Sequence, residues 1–187
     1  LREELLIESF KRGDESAFIE IYELYFQEVY NFVAYSVNGD VREDITQDIF
    51  MKVYKSMRKF KGKCSIKTWV FNIAKRTIYD WYRLKKNVFN IDDYESLLTE
   101  RDTPEKVFEK KERISFLVQG LNDLKEDHKM VILLRKFHGF SIKETSNIMG
   151  YSEGKIKTIL HRGLKALKEN LENDYFQEGG QNLNEKM

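Results

Sequence analysis

The side chains with the most evident chemistry lie between Lys52 and Lys86. There, 12 basic residues are interleaved with Tyr54, Phe60, Trp69, Phe71, Tyr79, Trp81 and Tyr82, against one acid, Asp80. Cations neutralise phosphates, and aromatic rings stack on unpaired bases at about 1–3 kcal/mol per base, so this mixture suits single-stranded nucleic acid. Lys61, Lys63, Lys75, Arg76, Tyr79, Tyr82 and Arg83 are the candidates for that contact. Apolar periodicity turns Phe60, Trp69 and Ile73 inward, and for these rings core packing outweighs base contact. The basic side chains have no such alternative.

Just upstream, Asp44, Gln47 and Asp48 share one face if the segment is helical, since residues three and four apart are neighbours on a helix surface. A paired-carboxylate face can dock on a basic protein partner, hold a metal, or simply be solvated. A metal needs further converging ligands, whereas His128, His138 and His161 are scattered and Cys64 is the single cysteine. A nuclease built on Asp44, Asp48 and Asp80 is therefore disfavoured, and no catalytic group, metal or other cofactor is implied.

A third constellation lies near the C-terminus. Ser141 and Glu144 have the spacing of a capping box, Gly150 stands where a turn wants a positive φ, and Ser152 can cap the helix that follows. Ser146 is small where two helices would cross closely, and Ile156 and Ile159 would anchor the second helix on the first. The pattern is that of a helix-turn-helix. Ser152, Lys155, Lys157, Thr158, His161, Arg162 and Lys165 are then offered to phosphates and base edges by a recognition helix.

The elements that must position these groups read as helices. Apolar spacing predicts two helices from Glu4 to about Val37, interrupted at Gly13 and Asp14, a third to about Phe60, and a fourth from Ser65 or Thr68 to about Lys85. Periodicity then fades across residues 87–109, which hold Pro104 and read as a flexible linker. Four more helices follow: Val107 to Leu121, Asp127 to Phe137, Ser141 to Met149, and Ser152 to about Leu171. With one proline and 10 glycines in 187 residues, sheets and barrels lack their turn signals. The expected fold is all-α, with two small helical domains over 1–86 and 110–172 and a polar, frayed tail over 173–187.

The net charge of +1 hides strong segregation. Residues 1–51 carry 4 bases and 12 acids, 52–86 carry 12 and 1, 87–127 carry 6 and 11, and 128–171 carry 9 and 3. Acidic blocks would repel DNA from the free chain, so poor binding to duplex DNA is expected until a partner covers them. The lone cysteine excludes an intrachain disulfide, no targeting segment is visible, and no apolar run approaches a membrane span. A cytoplasmic setting without membrane insertion is expected.

Taken in order, these motifs resemble the extracytoplasmic-function sigma factors of bacterial RNA polymerase. Gly13-Asp14 with Ala17-Phe18 and Tyr22-x-x-Tyr25 is similar to the family's opening helix, and Asp44-x-x-Gln47-Asp48-x-Phe50 to its polymerase-binding helix. Phe60-x-Gly62, Thr68-Trp69, Ile73-Ala74 and Asp80-x-x-Arg83 resemble its minus-ten region. Ser152-x-Gly154, Ile156-Lys157 and Leu160-x-Arg162 resemble its minus-thirty-five recognition helix. The chain departs from the pattern at Ile159 and Leu164, where arginines are usual, and at Thr77, where asparagine is usual. The resemblance implies a protein that binds core RNA polymerase through Asp44, Gln47, Asp48 and Phe50 and directs it to promoter DNA. It further implies a stress or envelope response, an anti-sigma factor as partner, and no enzymatic step. A helix-turn-helix regulator that never meets polymerase is the alternative, but it leaves the acidic helix and the basic aromatic stretch without a role.

Overall fold

The structure is a computed structural model, and it describes residues 2–37, 39–85 and 116–181. The first domain comprises α1 (Arg2–Lys11), α2 (Ser16–Ser36), α3 (Arg42–Met57) and α4 (Ile66–Lys85). The second has a helical stretch over 116–122, then α5 (Glu126–Ile132), a π-helical turn (Leu133–Phe137), α6 (Ile142–Met149) and α7 (Glu153–Gln181). All regular elements among the described residues are helical, as the sparse turn chemistry requires. The expected linker at 87–109 lies outside the described residues.

Local signals set the helix boundaries. Gly13 takes φ +102°, and the Asp14 carboxylate accepts from the Ser16 amide at 3.0 Å, which separates α1 from α2. Gly62 at φ +68° ends the excursion after α3, and Ser65 Oγ accepts from the Thr68 amide at 3.1 Å, so Ser65 rather than Thr68 caps α4. In the first domain Phe10, Ile21, Phe32, Ile49, Met57, Phe71 and Ile78 form the centre. Phe60, Trp69 and Ile73 lie at its margin, half-buried, with Phe60 and Trp69 in ring contact at 5.0 Å.

The helix-turn-helix forms as its spacing predicts. Ser141 Oγ accepts from the Glu144 amide at 3.1 Å, and the Glu144 carboxylate accepts from the Ser141 amide at 2.8 Å. Gly150 adopts φ +75° and donates its amide to the Ser146 carbonyl at 2.9 Å, closing α6. Ser152 Oγ accepts from the Lys155 amide at 3.3 Å, and Ile156 and Ile159 are buried beneath α7.

Two details differ from the pattern read in sequence. The helix expected to reach Phe137 as α widens at Leu133 into a π turn, where the His138 amide donates to the Leu133 carbonyl at 3.1 Å. The wider turn sends both Leu133 and Leu134 into the core. The last helix continues past Leu171 to Gln181, into the segment expected to fray. No glycine or proline interrupts that segment before Gly179, and the ion pairs Lys165–Glu169 (3.8 Å) and Lys168–Glu172 (3.5 Å) support its approach.

The capping box makes a quantitative test. Replacing Ser141 by Ala removes the acceptor for the Glu144 amide and one donor to its carboxylate, so stability should fall by about 1 kcal/mol. Chemical denaturation should show this as a lower midpoint with an unchanged slope.

Candidate nucleic-acid and protein interfaces

Three polar surfaces emerge from the fold. On α3, Asp44, Gln47 and Asp48 are exposed side by side, as helical spacing demands. Asp48 pairs with Lys52 at 2.8 Å, and the Lys52 ammonium also donates to Thr77 Oγ1 at 3.1 Å, tying α3 to α4. Phe50, grouped with the docking residues by the family resemblance, is only 4% exposed. Its ring lies edge-on to Tyr22 at 4.7 Å and 6.1 Å from Phe26, so it fixes α3 on α2 from within. Met51, which sequence reasoning passed over, is the exposed apolar side chain beside the carboxylates. Phe18, Tyr22, Phe26 and Tyr30 form a continuous aromatic rib along α2; their four-residue spacing is the signal that could have revealed it.

The second surface belongs to α4 and the loop before it. Lys61, Lys63, Arg76 and Arg83 are exposed, with Arg83 paired to Asp80. Lys75, Tyr79 and Tyr82 are half-buried. The Tyr79 hydroxyl donates to Asp127 Oδ1 at 2.6 Å, and the Tyr151 hydroxyl donates to Asp127 Oδ2 at 2.8 Å, so one carboxylate of the second domain joins α4 to the helix-turn-helix. Burial, followed by the bond to Asp127, pushes the Tyr79 hydroxyl well above the usual phenol range and keeps it a donor. Tyr82 donates to the Ser36 carbonyl, which also accepts from Lys129 at 3.4 Å. Burial draws the Lys129 ammonium down to about 8, against the pull of Asp123 and Glu126. Lys75 lies 5.4 Å from the centre of the Tyr79 ring, its ammonium also shifted down by burial.

The third surface is α7. Ser152, Lys155, Lys157, Thr158, His161, Arg162 and Lys165 are all exposed. Two of these hydroxyls already serve the helix: Ser152 caps it, and Thr158 donates to the Gly154 carbonyl at 3.1 Å. Lys155 sits 3.2 Å over the Tyr151 ring. Departures from the usual family pattern face inward, Ile159 being buried under α7 and Thr77 being buried while it accepts from Lys52.

Residues 21–88 match Sigma-70 region 2, and residues 120–169 match Sigma-70, region 4. The chain is 31% identical to the ECF RNA polymerase sigma factor SigX of Bacillus subtilis over 84% of its own length and 85% of that protein's. It is 34% identical to the RNA polymerase sigma factor YlaC of the same organism, over 81% and 90%. The chain belongs to the extracytoplasmic-function sigma factors. It therefore binds core RNA polymerase and directs promoter-specific initiation, and its family comprises transcription factors rather than enzymes. The fold is also that of CnrH, solved in complex with the cytosolic domain of CnrY, with a TM-score of 0.73 at 17% identity over 93% of this chain and 99% of that one. No described helix is long and apolar enough to cross a membrane.

In this sigma factor the two domains meet around His138, in the turn before α6. Its ring packs 5.3 Å from Phe32 and 4.9 Å from Phe71, and Phe140 packs 4.8 Å from Phe71. Glu28 on α2 holds Lys67 on α4 at 2.7 Å and stands 3.9 Å from His138 Nδ1. Lys67 also donates to the His138 carbonyl at 3.5 Å. Burial presses the imidazole down to about 4, Glu28 opposing and Lys67 assisting.

A pH dependence of docking follows. The undocked imidazole, near its ordinary 6.5, binds a proton more readily than the docked one near 4, so the neutral ring's contribution is complete above pH 6.5 and drains as pH falls toward 4. Each pH unit within that window costs up to about 1.4 kcal/mol. Energy transfer between dyes on the two domains should decline as pH falls from neutrality, and His138→Gln should flatten the decline; an equally steep profile in the variant would exclude the imidazole.

Proposed function

We propose that the three surfaces divide promoter recognition among them. Asp44, Gln47 and Asp48, with Phe50 supporting them from below, dock on basic side chains of the polymerase clamp. Lys61, Lys63, Lys75, Arg76, Tyr79, Tyr82 and Arg83 take the opened minus-ten strand, where phosphate neutralisation and stacking offset the cost of unstacking the duplex. The exposed face of α7, from Ser152 to Lys165, reads the minus-thirty-five duplex in its major groove. Residues 1–86 and 110–172 thus act as separate reading heads, with 87–109 as the connection that lets one promoter engage both and 173–187 as a tail outside them.

The observation that carries this reading is the juxtaposition on one small domain of an exposed acidic helix and a basic aromatic one, joined through Lys52. A simple operator-binding protein has no use for the former. An anti-sigma factor is the expected regulator: a similarly folded protein, RpoE of Bartonella quintana, was solved with the anti-sigma factor NepR, at a TM-score of 0.68 and 23% identity. The cytoplasm, where polymerase works, is the proposed location.

Reversing charge at the docking face by Asp48→Lys should weaken binding to core polymerase by about tenfold, while lowering stability by no more than about 1 kcal/mol, because an exposed ion pair with Lys52 is replaced by like charges. Unchanged affinity in a titration with labelled core would remove the face from the interface. On the duplex side, Lys157→Ala combined with Arg162→Ala should lower transcription from promoters that require the upstream element. Loss of a phosphate contact weakens all sequences alike and loss of a base contact relaxes one position, so transcription across a promoter library separates the two.

A further inference from the structure

The turn between α6 and α7 fixes an aromatic ring against the first cation of the recognition helix. Tyr151 is pinned at three atoms. Its amide donates to the Ser146 carbonyl at 3.3 Å, its carbonyl accepts from Ser146 Oγ, and its hydroxyl donates to Asp127 Oδ2 at 2.8 Å. The Lys155 ammonium lies 3.2 Å from the centre of that ring. All four residues belong to the second domain, so that domain carries the arrangement by itself. Lys155 is an unexpected occupant of its position. It is the third residue of α7, where the positive end of the helix dipole favours acids such as Glu153. The ring face offsets that repulsion, because its quadrupole attracts a cation. Sequences break a local preference of this kind where function requires it. The lysine is exposed, and with Thr158 and Arg162, at steps of three and four, it forms one stripe along α7. Lys165, by contrast, is drawn toward Glu169 at 3.8 Å.

We infer that Tyr151 is a positioning residue that holds Lys155 as a base reader, the lysine donating to the O6 and N7 acceptors of one guanine in the minus-thirty-five element. The inference rests on the reading given above, that α7 enters the major groove. Residues at the N-terminal end of a recognition helix face base edges, and the O6 and N7 pair of guanine is the acceptor set that a lysine takes there. A lysine left to itself is a poor reader. Its flexible stem reaches phosphates and several bases alike, and any one contact costs it rotamer freedom. The ring removes much of that freedom before DNA arrives, while the ammonium hydrogens turned away from the ring stay free to donate. Tyr151 therefore acts through Lys155 and need not touch DNA itself.

The test is transcription by the holoenzyme reconstituted with core polymerase, on a promoter library randomised across the minus-thirty-five element and read as base preference at each position. The unaltered chain should prefer guanine at one position by about tenfold. Lys155→Ala should reduce that preference to within about twofold and leave the other positions as they were. Tyr151→Leu should weaken the same preference by about threefold or more, whereas Tyr151→Phe, which keeps the ring and gives up only the Asp127 bond, should retain it within about twofold. In a Lys155→Ala background, Tyr151→Leu should change nothing further at that position, since the ring acts only through the lysine. An unchanged guanine preference in Lys155→Ala overturns the base-reading role. So does an equal loss from all sequences with a salt dependence shallower by about one, which marks a phosphate contact. Loss of preference at every position alike in Tyr151→Leu, with or without Lys155, makes the ring merely structural and overturns its positioning role. If Lys157→Ala with Arg162→Ala leaves dependence on the upstream element intact, the assignment of α7 itself fails, and the pair with it.

Discussion

The aromatic junction around Phe71 is the contact on which the rest of the arrangement depends. Phe71 is fully buried, with ring centres of Phe32, His138 and Phe140 at 5.1, 4.9 and 4.8 Å. Burying such a side chain contributes about 1.5–3 kcal/mol, and here the surface comes from α2, α4 and the turn before α6 together. The junction fixes the spacing between α4 and α6, and with it the polar contacts along their length. Without it, Asn72 and Tyr79 would face water, and the Asp127 carboxylate would keep only its Tyr151 partner.

Around that junction the polar groups are arranged as compensated pairs. Glu28 neutralises Lys67, Asp127 receives two tyrosine hydroxyls, and Lys129 shares its protons between the Ser36 carbonyl and Asn122 at 2.6 Å. Half-buried charges add little net stability, because desolvation offsets much of their attraction, yet a mismatched alternative leaves them unpaired at a cost. The pairs therefore select one docked geometry more than they strengthen it. Such an interface holds one defined arrangement without making it permanent, as suits a protein that engages both polymerase and promoter DNA.

Segregation of charge along the chain has a matching spatial meaning. The acidic block supplies α3's exposed carboxylates, and the basic block begins at Lys52, one turn later, where the same helix turns toward α4. An acidic surface and a basic aromatic one thus occupy neighbouring helices of one small domain. The second domain repeats the division, placing Asp127 toward α4 and the cations of α7 toward solvent.

Much of this was legible in sequence because it is local. Capping at Ser141 and Glu144, the positive φ at Gly150, the breaks at Gly13 and Gly62, and the shared face of Asp44 and Asp48 depend on residues within one or two turns of each other. The family, too, could be read from motifs in order. Tertiary structure decided what no local spacing encodes. Phe50 joined the docking residues through the family resemblance, but the aromatic rib of α2 takes it inside. Tyr79 and Lys75 have the composition of a strand-binding face, but their partner Asp127 lies 48 residues beyond Tyr79, across the linker. His138 reads as an isolated histidine, and only the meeting of α2, α4 and the π turn makes it a plug. Local periodicity determines which face of a helix is polar; what covers that face depends on long-range packing, where burial and charge compensation are settled between segments distant in the chain.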